Sequence, residues 1–261
     1  MSSVRPAAVA GTFYPGQKQV LANDVEAMLA AAKSARLETL SPPKAIIVPH
    51  AGYVYSGAVA ATAYASLHAF SDIIKRVILL GPTHRIPVVG LALPGVEAFS
   101  TPLGEIKIDQ SAVAAISDLP QVVNSAASHA QEHSLEVQLP FLQAVLDDFK
   151  LLPLAVGDAS AQEVAEVLDI LWGDESTLIV ISSDLSHFHP YQAAQAIDSD
   201  TVNRILNLDG PVSHQQACGG TPVNGLLLTA KKHHMKTQLL AMQNSGDSSG
   251  DKSRVVGYAS I

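Results

Sequence analysis

The chain has 261 residues, 48% of them hydrophobic and 15% charged, with a formal net charge of −8. That length buries a substantial core and suits one α/β domain over residues 1–261, and the composition excludes a disordered chain. The acidic balance argues against a nucleic-acid surface, and no apolar run reaches the roughly 18 residues of a membrane span. Residues 1–15 lack the basic and apolar regions of a secretory leader, and the single cysteine suits a reducing compartment, so we expect a cytoplasmic protein.

Along the chain, Leu21, Val25, Met28, Leu29 and Ala32 form a stripe at helical spacing. Short runs of β-branched and aliphatic residues at 45–48, 77–80 and 88–93 read as buried strands. Leu139, Leu142 and Val145 mark a further helix, followed by a strand at 151–156. Val164, Val167, Leu168 and Leu171 form the next helical stripe, for which Ser160 and Glu163 offer a capping box. A strand at 178–181 leads towards a helix that opens at Thr221-Pro222 and ends at Lys231-Lys232. Residues 244–252 (NSGDSSGDK) read as a mobile polar loop before a last strand at 255–258. Strands apolar on both faces, alternating with helices, predict a three-layer α/β/α domain around a mostly parallel mixed sheet.

Three of these strands run into histidine. The 45–48 strand leads to Pro49-His50, the 77–80 strand to Gly81-Pro82-Thr83-His84, and the 178–181 strand to Ser182-Ser183-Asp184-Leu185-Ser186-His187-Phe188-His189. Ligands of open α/β sheets bind beyond the carboxyl ends of the strands, so these imidazoles are candidates for one shared site. Cys218 joins them, because Gly219 and Gly220 let the backbone approach a ligand and the following helix start favours thiolate. Two or three imidazoles with a thiolate are soft-to-borderline donors for a transition metal. Asp184 is a candidate to orient an imidazole, Glu132 and His133 stand in a polar approach to the 139–145 helix, and Tyr53 and Tyr55 either line the pocket or pack beside it. His68, His129, His214, His233 and His234 read as surface or structural groups.

These motifs, with Ala10-Gly11-Thr12-Phe13-Tyr14-Pro15 before them and Tyr55-Ser56-Gly57, Glu132-His133-Ser134-Leu135-Glu136 and Cys218-Gly219 among them, resemble the Memo family over essentially the whole length. That family is the second component of the AmmeMemoRadiSam set and is similar in fold to the LigB-type class III extradiol dioxygenases, non-haem Fe(II) enzymes. The resemblance implies a LigB-like fold, metal ligands at His50, His84 and Cys218, and an acid/base role for His187. Asp184 would assist it, with Tyr53, Tyr55, Glu132, His133 and His189 around the substrate pocket. It implies one transition metal, Fe(II) first and copper or zinc as alternatives. As partners it implies a small molecule or peptide, and the AMMECR1-like and radical SAM proteins of the same system. The dioxygenases complete their site with a carboxylate, where this chain has Cys218; a thiolate is softer and oxidisable, which disfavours ring cleavage. Three functions follow: a dioxygenase-like oxidoreductase, a metal-dependent binding or redox module without turnover, as described for animal members, or a zinc hydrolase.

Overall fold

Aliphatic runs and amphipathic stretches alternate through the chain, and the computed structural model turns each into a strand or helix of a layered fold. It describes residues 3–32 and 41–261; Met1 and Ser2, part of the stretch read for a leader, lie outside. A two-residue strand β1 (Val4–Arg5) precedes helix α1 (Lys18–Ala32). Then come β2 (Ala45–Val48), α2 (Tyr53–Leu67) and β3 (Arg76–Pro82), followed by the short strands β4 (Leu91–Leu93), β5 (Ala98–Thr101) and β6 (Gly104–Lys107). Next are α3 (Gln110–Ile116), β7 (Val122–Asn124), α4 (Ala126–Ala130), α5 (Leu139–Val145) and β8 (Lys150–Val156). The chain continues through α6 (Ala161–Leu171), β9 (Thr177–Ser182), β10 (His187–His189), α7 (Tyr191–Leu206) and α8 (Gly220–Lys232). It closes with β11 (Ala241–Asn244), α9 (Ser245–Ser249) and β12 (Val255–Ser260).

The main sheet has six strands in the order β2-β9-β3-β8-β4-β7, parallel except where β4 meets β8. Side chains alternate across it as the pleat requires. Ile46, Val48, Val77, Leu79, Leu178 and Val180 pack with Leu21 and Val25 of α1, Tyr64 of α2 and Phe141 of α5. Their neighbours Ile47, Ile78, Leu80, Ile179 and Ile181 pack with Val164 and Leu168 of α6, Ile205 of α7 and Val223 of α8. Both faces are therefore dry, and the three-layer α/β arrangement expected from the sequence is present. Two three-stranded sheets flank it, β1-β5-β6 and β10-β12-β11.

Several boundaries differ from the sequence reading. The predicted 88–93 strand shrinks to Leu91–Leu93, because Gly90 turns into the left-handed region at φ 88° with its Cα against the Gln121 carbonyl. The α8 helix opens at Gly220 with Gly219 as N-cap, so Thr221 already lies inside the first turn. Residues 244–252 are not a featureless loop. Asn244 and Asp247 form a reciprocal capping box that starts α9, and Gly250 closes it in the left-handed conformation. The Ser160–Glu163 capping box of α6 is present as read.

Candidate metal centre

The strands β2, β9 and β3 are neighbours, so their carboxyl ends deliver His50, His187 and His84 to one edge of the sheet. His50 is buried, and its Nδ1 lies 3.0 Å from Ser182 Oγ at the end of β9. That hydroxyl gives its only proton to Ser134 O (2.6 Å) and accepts one from Gln138 Nε2 (2.8 Å). His50 Nδ1 must then be the donor, which leaves Nε2 an acceptor that faces the Cys218 sulfur 3.2 Å away. Burial, reinforced by the neighbouring histidines, pushes the His50 pKa well below 6.5, so the ring is neutral at pH 7.

His84 is fixed by one carboxylate. Glu132 accepts from the His84 backbone N–H and from Nδ1 at 2.9 Å, which leaves Nε2 as the ring nitrogen available to a ligand. Glu132 also accepts from the backbone N–H groups of His133 and Ser134, each at 3.0 Å. Burial opposes its charge, but these bonds outweigh that cost and hold its carboxyl at about 2. The 132–134 segment reaches the end of β3 because Gly81 has no side chain. A Cβ there would meet Ser134 Oγ at 2.9 Å, and Ser134 Oγ itself bonds Pro82 O.

This docking brings His133 into the group. Side-chain ligand atoms of His50, His84 and His133 all lie within 4.8 Å of one another. Their rings stand 5.1 Å (His50–His84), 5.4 Å (His50–His133) and 4.6 Å (His84–His133) apart. His133 Nδ1 lies 3.3 Å from Glu132 Oε1 without hydrogen-bonding geometry, which makes it a buried nitrogen without a hydrogen-bond partner. Burial keeps this ring neutral, its pKa lowered to about 4. Cys218 Sγ lies 3.2 Å from His50 Nε2. The sequence placed His133 in the pocket wall and Cys218 among the ligands. The structure puts His133 in the mutually close trio and Cys218 beside one member of it.

Other expectations need correction. The helix start does not activate Cys218: burial, and then the nearby Asp184 charge, raise its thiol to about 12. Asp184 does not hold His187. Its Oδ1 accepts from the His50 backbone N–H at 2.7 Å, and the Ala51 N–H adds a second bond, while burial still raises its carboxyl to about 7. His187 Nδ1 instead bonds Leu185 O at 2.9 Å, which fixes the same tautomer by another acceptor. Tyr53 belongs to the core, with its hydroxyl on Val137 O and its ring against Tyr14 and Phe141. His189 does not line the cleft; it pairs with Val255 of β12. Glu132 lies buried beneath the rings and orders them from behind.

Beside the trio, at His133 and His187, opens a cleft of about 520 Å³, walled also by Phe13, Tyr55 and Tyr258. Sequence reasoning missed Ser182 and Gln138 as the groups that set the His50 tautomer. Ser182 was visible as the first residue after a strand that leads to histidine, whereas nothing in the sequence marks Gln138. Phe13, which packs on His133 with ring centroids 4.6 Å apart, was signalled only by the motif around it.

The family described as Memo-like protein matches residues 5–261. A MEMO1 family protein of Sulfurisphaera tokodaii is 34% identical over 99% of this chain and 98% of its own length. One from Ignicoccus hospitalis is 36% identical over 99% and 98%, and one from Aquifex aeolicus 35% over 98% and 97%. A crystal structure of an uncharacterised protein from Escherichia coli K12 aligns with a TM-score of 0.48 at 16% identity, over 83% of this chain and 98% of that one.

Proposed function

The chain belongs to the Memo family, and from that premise we propose that it binds one transition metal ion between His50, His84 and a third donor, as a non-haem, oxidoreductase-type centre. The observation that carries this reading is the close trio of His50, His84 and His133, in which Nδ1 of both His50 and His84 is pinned by an acceptor. Imidazoles whose Nδ1 is engaged in this way are oriented for ligation through the other ring nitrogen. The buried Nδ1 of His133, without a hydrogen-bond partner, fits the same purpose.

Cys218 is our choice for the third donor, because its sulfur is already 3.2 Å from His50 Nε2. A metal cation would draw off the thiol proton that burial otherwise holds. His133 is the competing third donor. The donor set suits Fe(II) first and admits copper or zinc. A metal bound here would supply Lewis acidity and, for iron or copper, electron transfer. His187, with Nε2 free and its ring in the cleft wall, holds or moves a proton on a ligand beside the centre. The thiol in the carboxylate's place favours a second reading, a metal-binding or redox module without turnover.

Protein purified without oxygen and loaded with Fe(II) should carry one equivalent of metal per chain. His50→Ala and His84→Ala should lose it, and His187→Gln should keep it. Equal metal content in all four proteins would overturn the reading. Oxygen uptake across a catechol panel by the loaded protein then divides enzyme from module.

A further inference from the structure

A second opening lies along β2, whereas His50 stands past the carboxyl end of that strand. It is a slot of about 490 Å³ between the outer edge of β2, the last turns of α7 and α8, and residues 235–240. That volume falls in the range of small-ligand sites, and the wall is largely aliphatic, with Leu208, Leu227, Met235 and Leu240 among its residues. The two helices end alike. The Asp209 N–H returns to Arg204 O and the Met235 N–H to Ala230 O, each at 2.9 Å, around one residue in the left-handed region. Glycine ordinarily fills that position because it has no side chain to strain. Here Leu208 (φ 51°) and His234 (φ 53°) fill it. Leu208 is only half-buried and lines the slot, as does Met235 directly after His234. Backbone strain at both helix ends thus holds apolar side chains around an opening.

The polar groups of the slot narrow its ligand. Lys44 and Lys236 are the only charged side chains among the described lining residues. Lys44 Nζ donates to Asp174 O (2.7 Å) and Thr177 O (2.8 Å) and stands 5.4 Å from the Trp172 ring centroid, with no carboxylate paired to it among the described residues. An ammonium carries three N–H donors, so one remains for a ligand. Burial, only partly opposed by the field of Asp174, lowers the Lys44 pKa to about 8, and an anion beside it would offset that cost. An added peptide strand does not fit. Ile47 exchanges both of its outward backbone bonds with Ile261, which leaves Ala45 as the outward position of β2 in the slot. The next, Pro43, has no N–H, and a single open position beside proline cannot carry a ladder.

We propose that this slot binds a medium-chain aliphatic carboxylate, with its chain among the side chains of α7 and α8 and its head on Lys44. Nothing in this assignment rests on the metal reading.

Calorimetric titration of the purified protein with decanoate, hexanoate and decyltrimethylammonium tests it. Decanoate should saturate at one equivalent per chain, at least about tenfold more tightly than the shorter acid or the cation of equal chain length. Ala230→Leu keeps a strong helix former while filling the slot, and should abolish binding with an unchanged circular dichroism spectrum. Lys44→Gln should weaken decanoate about tenfold, and His50→Ala should bind it like wild type. No decanoate binding, or equal affinity for the three probes, would overturn the proposal. So would a loss in His50→Ala that Lys44→Gln does not share, which places the carboxylate at the histidines instead. A wild-type dimer that Ala230→Leu converts to monomer would give the slot to a second copy of the chain and overturn it as well.

Discussion

Ser182 shows how one hydroxyl proton decides the chemistry of a ring it merely touches. Because Ser134 O takes that proton, the hydroxyl can only accept from His50, and the imidazole is locked with Nε2 unprotonated. Ser182→Ala removes the acceptor and leaves His50 free to rotate or change tautomer. Metal affinity, read by competition with a chelator, should fall about 10- to 100-fold while the far-ultraviolet spectrum is retained. Stability should drop by only about 1–3 kcal/mol, the cost of leaving Ser134 O and Gln138 Nε2 short of a partner, since Gln138 Nε2 still bonds Pro49 O. Unchanged metal affinity would mean that the Ser182 bond is structural.

At the scale of elements, the centre depends on how closely loops approach the ends of β9 and β3. Gly219 is the tightest such approach on the Cys218 side. A Cβ on it would stand 2.7 Å from Ser183 Cβ and 3.0 Å from Ser182 O, and its N–H bonds Ser183 Oγ at 2.9 Å. Gly219→Ala should therefore lift Cys218 away from His50. The expected result is loss of any thiolate-to-cobalt charge-transfer band with a stability cost of about 1–3 kcal/mol, by overpacking; an unaltered band would show that the loop has room.

The same scale explains what the sequence did and did not disclose. Strand ends carrying His50, His84 and His187 were legible because buried parallel strands are continuous apolar runs whose boundaries stand out. His133 was not, because its place depends on the 132–134 segment crossing Gly81, a contact 53 positions away along the chain from Ser134. Residues 244–252 misled because Ser, Gly and Asp are loop formers by composition, while Asn244 and Asp247 are helix cappers by position. The Cys218 thiol misled because a helix start and burial act in opposite senses and only the fold reveals the burial.

Across the whole molecule, the amino-terminal segment is fastened to the centre by a buried ion pair. Arg5 Nη1 meets Glu136 Oε2 at 2.6 Å, and Arg5 Nη2 and Nε bond Glu132 O and His129 O. Glu136 also accepts from the Ala8 and Val9 N–H groups and from the Tyr14 hydroxyl. This network joins the β1 segment to the turn that carries Glu132 and seats Phe13 on His133. Sheet edge, docked turn and tethered segment thus converge on one group of imidazoles, and the function proposed above requires that they act together as one metal site. The most direct test is an anaerobic titration of metal-free protein with Co(II), followed by visible absorption. The account predicts saturation at one equivalent per chain, a d–d spectrum typical of four- or five-coordinate cobalt, and loss of both in His50→Ala. A charge-transfer band that vanishes in Cys218→Ser places the thiolate among the ligands, and its absence in wild type gives the third position to His133. A wild type that takes up no cobalt, or a His50→Ala variant that titrates like wild type, would contradict the account.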